Sequence, residues 1–220
     1  MASEMRSALK VKTPGRAAED VDPTRLKLLD TAETLFARHG IDNTSLRAIT
    51  AAAGANVAAV HYHFGSKDEL LREIFIRRMT PLIEERLRRL EKCKGAAKRA
   101  LVEKIVAAYV EPTFEYDCSQ NQFGFNRLLA RLSLENQRER TDVFHFIQRD
   151  GNTQFVDALL AAAPHLQRET VQLRLELLLG MIVQALSIRQ ESRSGSANRA
   201  LVDELINLGV AMMEAKARSL

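Results

Sequence analysis

Apolar residues recur at steps of three and four along nearly the whole chain, and no stretch shows the strict alternation of a half-buried strand. The pattern predicts an all-α protein. Asp22-Pro23 opens the first helix: a carboxylate at the N-cap, then a proline whose missing N–H costs nothing at the first helical position. That helix is expected to run to about His39, with Leu26, Leu29, Ala32, Leu35 and Phe36 inward, and to stop at Gly40. Thr44 is read as the cap of a short second helix that buries Leu46, Ile49 and Ala53 and ends at Gly54. Asn56 caps the third.

Ser66 and Glu69 have capping-box spacing and open a long fourth helix, whose inward stripe is Leu70, Leu71, Ile74, Phe75, Leu82, Ile83, Leu87 and Leu90. Ending near Lys92, it would measure about 39 Å at 1.5 Å per residue, with a kink expected at Pro81. Breaks near Lys94-Gly95, Asp117 to Ser119, Arg140-Thr141, Pro164 and Ser192 to Ser196 divide the rest into helices of about 97–116, 121–138, 142–162, 167–191 and 198–217. About nine helices result. Residues 1–21 have no sustained apolar period and read as a disordered arm, basic through Arg6, Lys10, Lys12 and Arg16. The expected organisation is therefore the arm at 1–21, a head at 22–66, and a body at 67–220 whose first part, 67–92, is the connecting helix.

Composition narrows this picture modestly. A hydrophobic content of 46% supports a real core, while a net charge of +4 favours a polyanionic partner only weakly. Cys93 and Cys118 lack the spacing of a zinc site or a secreted disulfide framework, which fits a reducing cytoplasm. No run approaches the roughly 18 apolar residues of a membrane span, and the N-terminus lacks the apolar stretch of a signal peptide. No Ser/His/Asp grouping or phosphate loop supports an enzyme, and no cofactor is expected. His61 and His63 stand two apart on a helix and point in different directions, so no metal site is expected either.

The chemistry lies in residues 44–70. Two short helices meeting at a glycine turn form a helix-turn-helix, which presents its second helix to the major groove of DNA. Val60 and Phe64, four apart, supply the back of that helix, leaving Val57, Ala58, His61 and Tyr62 for DNA. Small residues at 58 and 59 allow close approach to the groove floor. Val57, Ala58 and Ala59 offer only methyl contacts, suited to thymine, so hydrogen-bonded readout falls to Arg47, Asn56 and His61.

The run S-L-R-x-I-x-x-x-A-G-A-N-x-A-A-x-x-Y-H-F-G-S-K from Ser45 to Lys67 resembles the DNA-binding segment of TetR-family transcriptional regulators, with a likeness extending over roughly residues 24–75. The resemblance implies a homodimeric repressor that releases DNA when a small molecule occupies the C-terminal domain. Thr44 and Ser45 then correspond to residues holding the start of the second helix. Arg47 corresponds to a DNA contact from that helix, and Asn56, Val57, Ala58, Ala59 and His61 to the groove-facing stretch. Tyr62, His63 and Lys67 correspond to phosphate contacts. His61 departs from the tyrosine usual in the family, and Thr50 from a common alanine.

In the C-terminal half, Tyr109, Phe114, Phe123, Arg127, Phe144, Phe155 and Met181 are the candidate ligand-binding residues; core filling is the alternative for the aromatic ones, and Arg127 stands either against an anionic head group or on a solvated helix face. The N-x-A-A-x-x-Y-H-F-G-S-K variant and Arg127-Leu128-Leu129 are similar to the branch of the family that includes fatty-acid-responsive members, which implies a hydrophobic, acyl-type effector. Helices at about 167–191 and 198–217 are the expected homodimer interface; Leu201, Leu205, Leu208 and Met212 have near-heptad spacing. The alternative is a DNA-binding regulator without an effector, controlled by its concentration or by a protein partner.

Overall fold

A computed structural model describes residues 22–93, 95, 98–120, 125, 126, 128, 129, 142–188 and 195–217. Eight helices and no strand occur among them: α1 (Pro23–His39), α2 (Leu46–Ala53), α3 (Val57–His63), α4 (Lys67–Lys92), α5 (Lys98–Gln120), α6 (Asp142–Ala162), α7 (Arg168–Ile188) and α8 (Gly195–Glu214). The all-α reading holds. The helix expected at 121–138 lies mostly outside the described residues, although 125, 126, 128 and 129 are helical. The arm at 1–21 lies wholly outside them, as do Phe123, Arg127 and the side chains of Cys118 and Phe144.

Sequence capping signals act much as expected at α1, α3 and α4. Asp22 accepts the Thr24 N–H at 2.8 Å, Asn56 accepts that of Ala59 at 2.8 Å, and Ser66 accepts that of Glu69 at 3.1 Å. At α2 the cap moves by one residue. Ser45, not Thr44, accepts the Ala48 N–H, at 3.1 Å. The Thr44 hydroxyl points inward and donates to the Gly40 carbonyl at 2.7 Å, so threonine closes the loop and serine caps the helix. On α1 the inward face is Leu28, Leu29, Ala32 and Phe36, while Leu26, in the first turn, is exposed. The break expected at Asp117 to Ser119 is absent, because α5 continues to Gln120. Asp, Cys and Ser are merely mediocre helix formers, and no glycine or proline forces a stop there.

Two cores organise the molecule. The first joins Leu28, Phe36, Ile49 and Val60 of the head to Leu70, Ile74, Phe75 and Ile83 of α4, and takes in Phe125, Leu128, Leu129 and Val183. The second runs from Leu90 through Ile105, Tyr109, Phe155, Leu175 and Ile182 to Met213. Helix α4 therefore belongs to both, its N-terminal half to the head's core and its end to the body's.

Helix α8 packs on α5 and α7 through Gly209. A Cβ there would stand 2.7 Å from Val106 Cγ1 and 3.4 Å from Leu178 Cδ1, so glycine permits the close approach of the three helices. Gly209→Val is expected to cost about 1–3 kcal/mol through overpacking, read as a lowered midpoint in chemical denaturation. Arg174 of α7 closes the far end of α8 by donating to the Ala215 carbonyl at 2.9 Å and to that of Met212, placing a cation on a helix C-terminus.

Candidate nucleic-acid interface

The turn between α2 and α3 rests on Gly54, whose φ of 63° and ψ of 35° are left-handed. Its N–H donates to Ala51 O at 3.2 Å and that of Ala55 to Thr50 O at 2.9 Å, so two carbonyls of the last turn of α2 are satisfied as the chain turns. Asn56 then starts α3 at once. The back of α3 is Val60, completely buried, with Phe64 buried just past its end. Ala59 is half-buried against the same core.

The opposite side is open. Arg47, Asn56, Ala58, His61 and Tyr62 are exposed, Val57 is half-exposed, and Tyr62 has the most open large side chain of the head at 85%. Arg47 makes no ion pair among the described residues. The His61 ring is fixed by a 2.9 Å contact from Nδ1 to the Gly65 carbonyl. A carbonyl only accepts, so Nδ1 carries the proton and Nε2 of the neutral ring is left as an acceptor. The Asn56 carbonyl oxygen is engaged in the cap, which leaves its amide donor outward.

Besides Ala59, three residues singled out in the sequence are placed differently from this open set. Thr44 is 2% exposed and serves the loop. His63 has only 10% of its side chain exposed; Nε2 lies 3.4 Å from Asp22 Oδ2, and its ring meets Tyr62 edge-on at 5.0 Å. Asp22, bonded to the Thr24 N–H and next to His63, is held below the usual carboxylate range. Lys67 is half-buried with Nζ 6.0 Å from the Phe36 ring centroid. The aromatic pair therefore divides, Tyr62 facing out and His63 bridging α3 to the start of α1.

The family profile described as bacterial regulatory proteins, tetR family, matches residues 28–74, and that described as a tetracyclin repressor-like C-terminal domain matches residues 107–215. The chain belongs to the TetR family. Among curated TetR-type relatives, it is 37% identical over 60 residues to the helix-turn-helix transcriptional regulator AcrR of Shigella flexneri, covering 27% of this chain and 28% of that one. It is 44% identical over 50 residues to the transcriptional repressor KstR2 of Rhodococcus jostii, covering 23% and 24%. The chain thus matches under a third of the length of these relatives. A likeness in fold extends further. The fatty acid degradation regulator FadR of Bacillus halodurans superposes with a TM-score of 0.64 at 13% identity, over 87% of this chain and 97% of that one. The TetR family is one of transcriptional regulators rather than enzymes.

In this TetR-family body, the expected ligand residues Tyr109, Phe114 and Phe155 are buried in one cluster, with the Tyr109 and Phe155 rings edge-on at 5.1 Å and Met181 half-buried beside them. The sequence reading missed Arg86. It was hidden in the Glu- and Arg-rich end of α4, where exposed Arg88 and half-buried Arg89 hold the Glu85 carboxyl down to a pKa of about 2. Arg86 is buried, with its guanidinium 4.0 Å from the Tyr109 ring centroid. Its register with Ile83 and Leu90 on the inward stripe was the available signal.

Proposed function

We propose that this chain is a cytoplasmic repressor that binds a two-fold operator as a homodimer and leaves it when a small hydrophobic effector enters the body. The observation that carries the DNA-binding part is the outward side of the head. Arg47, Asn56, Val57, Ala58 and His61 stand around the open face of a short helix whose opposite side is fully packed, with Ser45 capping its neighbour. Arg47, the outward Asn56 amide and His61 Nε2 supply hydrogen bonds to base edges, and the Val57 and Ala58 methyls meet thymine. Tyr62 and Lys67 position the head on phosphates, while Thr44, Ala59 and His63 support it from behind. Among the described residues no helix is long and apolar enough to cross a membrane.

The dimer reading rests on α7 and α8. Leu173 and Leu177, one turn apart on α7, and Leu208 on α8 are exposed large apolar residues, Leu177 at 54%. Leu205 is buried within the body, and Leu201 and Met212 are partly buried against it, so the seam centres on Leu173, Leu177 and Leu208 rather than on the near-heptad row as a whole. Leu177→Arg is expected to give a monomer by light scattering and to lower operator affinity more than tenfold, because one head engages only one half-site.

The acyl-type effector is supported by the apolar, aromatic body, and FadR, which shares the fold, is named for fatty acid degradation. Selection of bound genomic fragments gives the operator. A thermal-shift screen with that operator in hand tests the effector: compounds that raise the melting temperature and release DNA support it. DNA binding that no compound alters would instead make the chain a regulator set by concentration or a protein partner.

A further inference from the structure

Helices α4, α5 and α6 pack on one another in the body, and a cluster of hydrogen-bond donors stands where they meet. Arg86, on α4, is 3% exposed. Its Nη2 donates to the Thr113 hydroxyl of α5 at 2.7 Å, its plane lies near the Tyr109 ring, and its buried Nε has no acceptor. No carboxylate within ion-pair distance neutralises it among the described residues. The nearby acids are occupied elsewhere: Glu85 by Arg88 and Arg89, Glu111 and Glu115 by Arg89. Burial pushes the Arg86 guanidinium down from its ordinary pKa.

The groups around Arg86 are also short of acceptors. Thr113 accepts from Arg86 and keeps its own hydroxyl proton for another partner. Asn152 of α6 uses its carbonyl oxygen to accept the Tyr109 hydroxyl at 3.1 Å, leaving its amide N–H groups to donate. A buried cation flanked by donors is costly until an anion arrives, since an unneutralised charge has lost its hydration without a counter-charge. The adjoining walls are apolar, through Tyr109, Phe114 and Phe155.

We propose that Arg86, with Thr113 and Asn152, binds the carboxylate of an amphiphilic organic acid whose apolar part lies along the aromatic cluster of the body. The proposal rests on the effector reading above and narrows its chemical class. It places the anionic group at Arg86; Arg127 lies outside the described residues.

The full chain is titrated with straight-chain carboxylates from hexanoate to hexadecanoate and with the matching primary alcohols, by calorimetry and thermal shift. The expected result is that at least one acid binds about 10- to 100-fold more tightly than its alcohol, the range of one charge-assisted hydrogen-bonded contact. Arg86→Met should reduce that acid to the affinity of its alcohol and leave the alcohol's own binding nearly unchanged. Without ligand, Arg86→Met should melt about 5 °C higher, because a buried unpaired charge has been replaced by an apolar side chain of similar length. The proposal is overturned if no acid outbinds its alcohol, if the acid binds Arg86→Met as well as the original chain, or if Arg86→Met melts lower in the absence of ligand. Operator release is scored separately by gel shift. Alcohols that release DNA as well as acids do would leave the effector reading standing while removing the anion site.

Discussion

Glu33→Ala is expected to destabilise the chain by about 3 kcal/mol, near the lower end for breaking a buried ion pair, and to lower its melting temperature by about 6–12 °C for a chain of this size. Glu33 lies on α1 with 5% exposure, and its carboxylate is filled from α4. Oε1 accepts Arg78 Nη2 at 2.8 Å, while Oε2 accepts Arg78 Nε at 2.9 Å and Arg77 Nη2 at 3.0 Å. The Arg78 contact is a two-point fork, the strongest form of this pairing. Truncation would strand two guanidinium groups whose side chains are 27% and 19% exposed. That residual access to water, with Asp30 still 2.8 Å from Arg77, keeps the estimate from the upper end.

The size of the loss alone would not show that the fork acts as a unit. A double-mutant cycle with Arg78→Ala does, because two groups in one hydrogen-bonded fork should couple by about 1–3 kcal/mol, whereas independent packing losses would simply add. Glu33→Gln, which keeps the shape and loses the charge, should fall between the original chain and Glu33→Ala. The consequence reaches function through geometry. Glu33 with Arg77 and Arg78, Asp30 with Arg77, and Arg25 with Glu73 at 2.8 Å are polar ties between α1 and α4, so loosening the Glu33 fork weakens the hold of the reading head on the helix that enters the body. On α4 the sequence runs from these ties through Pro81 to Arg86. A ligand that engages Arg86 and favours one position of α4 therefore has a covalent route to the head, provided it binds the two head arrangements unequally.

Local signals in the sequence located the head because its chemistry is local. A cap and the N–H it accepts are two or three residues apart, and the Gly54 turn is set by one residue's φ, so Asp22, Asn56, Ser66 and Gly54 could be assigned from spacing alone. The one-residue error at Thr44 arose because threonine and serine are equally good caps and the deciding bond, from Thr44 to the Gly40 carbonyl, belongs to the loop. The division of Tyr62 from His63 was illegible for a related reason: it depends on Asp22, 41 positions away in the sequence, standing beside the histidine. Arg86 was harder still. An arginine in a helix rich in Glu and Arg reads as a solvated face until α5 and α6 are seen to close over it, and what makes it unusual is that no carboxylate pairs with it among the described residues.

Arg47→Ala should cost about 1–3 kcal/mol of operator affinity, and the loss should fall on one base pair in each half-site. That corresponds to about 5- to 150-fold in dissociation constant. Arg47 is the only cation on the exposed faces of α2 and α3 among the described residues, it makes no ion pair there, and the start of α3 beside it offers methyl groups at Val57 and Ala58. A guanidinium in that position can bond a guanine edge at two points, which no other outward side chain of these two helices can do as well. Tyr62→Phe provides the contrast. A hydroxyl lost from a phosphate contact should weaken operator and scrambled duplexes alike, whatever their sequence. Binding measured on a set of single-base operator variants separates the two: Arg47→Ala should become indifferent at one position while Tyr62→Phe keeps the original ranking. A uniform loss for Arg47→Ala across all variants would place the guanidinium on the backbone and transfer base readout to the Asn56 amide and His61 Nε2.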